Sequence, residues 1–189
     1  MPIRKVQFQA GNYYHLYNRG NNRQEIFLER KNYSLFILLI RQHLIKNNVE
    51  IIAYCLMPNH YHLLVYLNDE NLSQVMQRFS LAYTKSINQR FKRVGSLFQG
   101  RFQAQHVDSD EYLLHLSRYI HLNPVKANLV KHPQEWEFSS YLGYIGLQDN
   151  NLIKPEKVLE YFSSPNAYQQ FVENFEEKDT EKIQHLIIE

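Results

Sequence analysis

Apolar residues follow two spacings along this chain, and the changes between them mark its elements. Tyr13-Tyr14-His15-Leu16-Tyr17-Asn18 reads as a strand, closed by the loop Arg19-Gly20-Asn21-Asn22. From Arg30 to Lys46, Leu35, Phe36, Leu38, Leu39, Leu44 and Ile45 fall at helical spacing, and Asn47-Asn48 stops the helix. Val49 to Leu56 is a strongly apolar strand. Met57-Pro58-Asn59 makes a turn, and His60 to Leu67 returns as the second arm of a hairpin. A long helix opens at Asn71-Leu72-Ser73, with Ser73 as the expected N-cap, and runs to about Phe91. Lys92 to Ser96 is a basic loop, and Leu97 to Val107 reads as extended. Asp108-Ser109-Asp110-Glu111 supplies a cap and first-turn acids for a helix over 110–122.

The order is strand, helix, strand, strand, helix, strand, helix. That predicts an α+β fold: a ferredoxin-like split βαβ antiparallel sheet with helices on one face, plus an added helix. Beyond Trp136 the chain is irregular and then acidic and helical, with Pro155 to Phe162 and Pro165 to Phe175 as candidate helices. We expect a main domain over 1–145 and a helical C-terminal appendage over 146–189.

Hydrophobic residues make up 44% of the 189, which suits a globular chain with a sizeable core. No stretch is apolar enough to span a bilayer, and the start lacks the apolar core of a signal peptide. Cys55 is the one cysteine, so an internal disulfide is excluded and a cytoplasmic location is expected. The net charge of +2 hides an asymmetry. Residues 1–150 carry 17 Lys/Arg against 11 Asp/Glu, and residues 151–189 carry 4 against 8. Between Asn71 and Val107 there are six cations and no acid, interleaved with Phe79, Tyr83, Phe91, Phe98 and Phe102. Cations for phosphates and rings for bases suit a single-strand nucleic-acid groove; a solvated basic helix would read the same way.

Two local patterns carry chemistry. In Pro58-Asn59-His60-Tyr61-His62, strand alternation sends His60 and His62 to one face and Tyr61 to the other. Two adjacent imidazoles can chelate a divalent ion, or can be two unrelated strand histidines. In Tyr112 to Pro124, helical spacing puts His115, Tyr119 and Asn123 on one stripe, with Leu113, Leu116 and Ile120 facing the core. Tyr119 is then a candidate nucleophile or a plain amphipathic tyrosine. Asn123-Pro124 is a metal ligand at a helix end, or a cap followed by proline at the first helical position.

Four blocks occur in order: Tyr14-His15-Leu16-Tyr17-Asn18-Arg19-Gly20; Tyr54 to Val65 around Pro58-Asn59-His60-Tyr61-His62; Leu97-Phe98-Gln99-Gly100-Arg101-Phe102; and Tyr119-Ile120-His121-Leu122-Asn123-Pro124-Val125-Lys126-Ala127. Together they resemble the Y1 (HUH-type) tyrosine transposases of the IS200/IS605 kind. The branch associated with repetitive extragenic palindromes (REP) is the nearest likeness, and Trp136 to Tyr141 resembles it too. The resemblance covers roughly residues 10–145. It implies metal ligands at His60, His62 and Asn123, a nucleophile at Tyr119, and Mn²⁺ or Mg²⁺ as cofactor. Tyr61 stands where the family commonly has an aliphatic residue.

The implied reaction is metal-dependent cutting and rejoining of single-stranded DNA near hairpins through a 5′-phosphotyrosine, without a nucleotide cofactor. His115 is the candidate proton acceptor, and metal binding should fail as pH falls through about 6.5. Arg78, Arg90, Arg93 and Arg101 are the expected DNA contacts. The acidic tail could pack over the basic site or limit access to it. A monomer is preferred to a homodimer. Two alternatives stay open: a non-catalytic single-strand-binding module of ferredoxin-like fold, and a replication-initiator or relaxase nickase of the same chemistry.

Overall fold

The computed structural model describes residues 6–175. Strand β1 (Tyr13–Arg19) is followed by helix α1 (Arg30–Leu39), which runs on through a widened turn over Ile40–Leu44 to Asn48. Asn48 ends it in the left-handed conformation (φ 59°), which Asn tolerates better than most residues. Strands β2 (Val49–Met57) and β3 (His60–Leu67) form the hairpin, and α2 (Leu72–Phe91) leads to β4 (Gln103–Val107). Helix α3 (Asp110–Lys126) follows, then the short α4 (Tyr141–Tyr144) and α5 (Glu156–Leu159), and α6 (Pro165–Glu173). Among the described residues no helix is long and apolar enough to cross a membrane.

The four strands form one sheet in the order β2-β3-β1-β4, and every neighbouring pair is antiparallel. The expected helices on one face are α1 and α2: Phe36 of α1 packs on Tyr61 of β3 and on Phe79 and Tyr83 of α2. Helix α3 covers the opposite face. It reaches β4 through Tyr112, whose hydroxyl donates to Gln105 Oε1 (3.1 Å), and β2 through His121 and Ser140.

Three local expectations change. Helix α2 starts at Leu72, so Asn71 takes the cap position and Ser73 lies within the first turn. Only Gln103–Val107 of the extended segment is strand; Phe98 instead bridges to Gly20, and Gln99 N donates to the Arg19 carbonyl. Helix α3 does not stop at residue 122 but runs through Pro124 to Lys126. Pro124 removes one N–H, but packing buries the turn before it, and that outweighs the lost bond.

Residues 146–175, the described part of the expected appendage, pack onto the core of the sheet. Leu152, Ile153, Val158, Tyr168 and Val172 are buried in the same core cluster as the sheet. Together with Ser140 it also closes the free edge of β2: Ser140 N donates to Tyr54 O, and Lys154 N donates to Ile51 O. A β-strand edge left open would offer a template for unwanted pairing.

Candidate active site

The two histidines are brought into place by a hairpin turn held from outside. Gly20 N donates to Asn59 O (2.8 Å), and Pro58 O accepts from Ile26 N and Phe27 N. Gly20 is required at this crossing, because a Cβ there would lie 1.9 Å from Gln24 O. His60 and His62 then project from β3 to the α3 face, while Tyr61 turns to the α1/α2 core, as strand alternation dictates.

His60 Nε2 stands 3.1 Å from Asn123 Oδ1, and His62 Nε2 stands 3.4 Å from Asn123 Nδ2. The tautomer of His60 can be worked out. Asn59 Nδ2 donates to Arg23 O, so Asn59 Oδ1 faces His60 Nδ1 at 2.6 Å and has to accept from it. The proton of His60 is therefore on Nδ1, and its Nε2 is a bare lone pair aimed at the Asn123 amide. Once His62 also presents a bare Nε2, either orientation of that amide leaves its oxygen facing a nitrogen lone pair. A cation resolves such a clash of acceptors, so this donor set fits a divalent ion.

Electrostatics agrees. Burial holds His60 below the ordinary imidazole range, helped by the charge of Arg19 and opposed by the Asn123 side chain, whose oxygen would accept from a protonated Nε2. Burial holds His62 well below it, with His60 and His15 adding to the effect. Both rings stay neutral, the form that binds metal. Among the described residues no three His, Cys, Asp or Glu side chains are arranged to hold a metal ion together, so a third protein donor here has to be an amide or hydroxyl.

Tyr119 is 5% exposed and meets the His62 ring edge-on, with centroids 5.4 Å apart at 83°. Lys126 Nζ lies 5.4 Å from the centroid of the same tyrosine ring and 4.1 Å from that of Phe175. His60, His62, Asn123 and Tyr119 thus converge from β3 and α3 of one chain. Pro124 does not disturb this, because the helix continues past it.

His115 is placed differently from expectation. Its Nδ1 accepts from the Arg118 guanidinium (2.7 Å), and its Nε2 lies 3.8 Å from Glu111. A neutral imidazole held this way carries its proton on Nε2 and has no lone pair left for the phenol of Tyr119.

The basic segment also divides. Phe79, Tyr83, Phe98 and Phe102 are buried, so these rings belong to the core and not to a stacking groove. They are the inner positions of an amphipathic helix and of the loop that closes over it. Arg78 is exposed on α2, on the sheet face opposite Tyr119. Arg90 pairs with Glu29, and Arg93 donates to Gln24. Arg101 is exposed in the loop that runs beside Asn18 and Arg19, at the His60 end of the sheet.

Two residues near the site were missed by sequence reasoning. Arg19 pairs in register with His60, and its Nε donates to Gln99 Oε1. His15 touches His62 from the next strand, and burial pushes its pKa down to about 3. Only the strand register exposes both, and it depends on which strands are neighbours.

Comparison with known proteins adds to this geometry. Residues 9–123 match the family described as "Transposase IS200 like". A relative from Haemophilus influenzae described as a REP-associated tyrosine transposase is 29% identical over 103 residues. That match spans 49% of this chain and 58% of the relative, little more than half its length. A solved structure of a REP-associated tyrosine transposase bound to a REP hairpin superposes with a TM-score of 0.68 at 20% identity. It covers 82% of this chain and 98% of that one, and shows a shared fold.

Proposed function

This chain belongs to the family of IS200-like transposases, and from that premise we propose that it cuts and rejoins single-stranded DNA beside hairpins, with Tyr119 as nucleophile. The observation that carries the reading is the contact of Tyr119 with His62, one of two imidazoles whose Nε2 atoms converge on Asn123. The REP hairpin bound by the structural relative makes such hairpins the first substrates to try. We read the sheet order as the ferredoxin-like split βαβ plan, with α3 as the added nucleophile-bearing helix.

His60, His62 and Asn123 would hold the divalent ion, Mn²⁺ or Mg²⁺. When bound, it supplies Lewis-acid polarisation of the scissile phosphate. The phenol oxygen of Tyr119 attacks phosphorus, the bond to the 3′ oxygen breaks, and a 5′-phosphotyrosine and a free 3′-hydroxyl result. Attack by a 3′-hydroxyl on that phosphotyrosine restores a phosphodiester, so no nucleotide is consumed. Lys126 brings positive charge to the ring of the nucleophile. Arg19 and Arg101 lie at the His60 end, where a phosphate backbone would enter.

A non-catalytic module would need stacking rings on an open sheet face. Phe79, Tyr83, Phe98 and Phe102 of the basic segment are in the core instead, and α3 crosses the face that carries His62.

The test is a denaturing gel of the protein and a Tyr119→Phe variant, each with Mn²⁺ and hairpin-bearing single-stranded DNA. We expect cleavage with a slower-migrating adduct for the unmodified protein, and neither for the variant or with chelator. Cleavage that persists in Tyr119→Phe would refute the assignment.

A further inference from the structure

His15 is fully buried on β1, and the reaction outlined above gives it no part. Its Nε2 lies 2.9 Å from Nδ1 of His62, and the two ring planes are within 19° of each other with centroids 5.1 Å apart. His62 is also 0% exposed. The other nitrogen of His15, Nδ1, is buried without a hydrogen-bond partner. For packing alone this would be a poor choice of residue. An imidazole carries two polar atoms into the core, and leaving one unpaired is unfavourable, whereas Phe or Leu would fill the space without that cost.

What His62 needs accounts for His15. An imidazole can offer Nε2 to a metal ion only in the tautomer whose proton sits on Nδ1, and in a buried site that proton needs an acceptor. We infer that His15 is a positioning residue for the metal site, accepting the Nδ1 proton of His62 through its own Nε2 and so leaving His62 Nε2 bare toward Asn123. His15 then does for His62 what Asn59 does for His60: each engages Nδ1 from behind and turns Nε2 into the site. The unpaired nitrogen at His15 Nδ1 is the cost of this arrangement. The inference rests on the metal-site reading given above and adds the residue that sets the second ligand.

The experiment is a Mn²⁺ titration of the full chain, followed by loss of the free-ion EPR signal. It compares the unmodified protein with His60→Ala, His15→Phe and His15→Gln. Removing such a partner typically weakens metal affinity roughly 10- to 100-fold, and His15→Phe should do so. His15→Gln keeps an acceptor oxygen near the Nε2 position and should recover most of the affinity. Both His15 variants should still bind hairpin DNA in chelator, which separates a positioning role from a general loss of fold. Binding by His15→Phe within twofold of the unmodified protein would overturn the inference. If His15→Phe fails to fold, ¹⁵N NMR of the unmodified protein with Mg²⁺ decides: a proton on His62 Nδ1 supports it, and one on Nε2 overturns it. Should the unmodified protein and His60→Ala titrate alike, the metal reading falls and this inference with it. If His60→Ala loses the ion while His15→Phe keeps it, only this inference falls.

Discussion

His60 and His62 face one way because a strand alternates its side chains, and that much can be read from two letters of sequence. Their fitness as ligands comes from contacts that the sequence does not display. Asn59 fixes the proton of His60 because its own amide is tied to Arg23, and Arg23 lies in a loop 36 residues earlier in the chain. Burial sets their response to acid. An ordinary imidazole titrates near 6.5, and both rings are held below that. The neutral, metal-binding form therefore persists as pH falls through 6.5 and is lost only when pH falls through the lowered values. Mn²⁺-dependent cleavage measured from pH 7.5 to 4.5 should keep its activity at pH 6.5 and show its acid midpoint below that. A midpoint above 6.5 would show that these rings are not the limiting ligands. Sequence reasoning placed the loss near 6.5 itself, because burial of a strand residue depends on what covers the sheet.

Helix α3 carries Tyr119 and Asn123, and its hold on the sheet comes from the C-terminal segment as much as from its own apolar face. His121 bonds through Nδ1 to Tyr168 OH (2.7 Å) and through Nε2 to Ser140 Oγ (2.8 Å), and Tyr168 OH also reaches Ser117. All four groups are buried. Tyr168→Phe leaves the His121 and Ser117 groups short of a partner and should cost about 1–3 kcal/mol, read as a lower urea midpoint with an unchanged slope. No change in the midpoint would show that α6 does not brace the nucleophile helix. The order of strands and helices was legible because each has a clear apolar period. The path of α3 through Pro124 was not, since local rules stop a helix there and only burial of the surrounding turn carries it on. The rings between Asn71 and Val107 misled for a related reason. A period of 3.6 shows that Phe79 and Tyr83 share a face of α2, but not that the sheet lies against it.

Across the whole molecule, one sheet separates two kinds of surface. Core-building helices α1 and α2 cover one face, and the helix bearing the candidate nucleophile crosses the other. DNA entering at the His60 end would meet Arg19 and Arg101, while Arg78 points away on the far side. Neutralising Arg101 should weaken hairpin binding and lower the slope of log K against log salt by about 0.7 for a single-strand contact. Arg78→Gln should leave the slope unchanged, and the reverse pattern would move the DNA path to α2. The central claim is that one tyrosine of the 14 in the chain carries the covalent link. Tyr17 is the rival worth excluding, since its ring centroid lies 6.3 Å from that of His62. The measurement is to trap the adduct with Mn²⁺ and hairpin-bearing DNA, digest both components, and map the nucleotide-bearing peptide by mass spectrometry. The account predicts a phosphodiester on Tyr119 and on no other residue; a link at Tyr17, or cleaved DNA with no protein-linked phosphate, would contradict it.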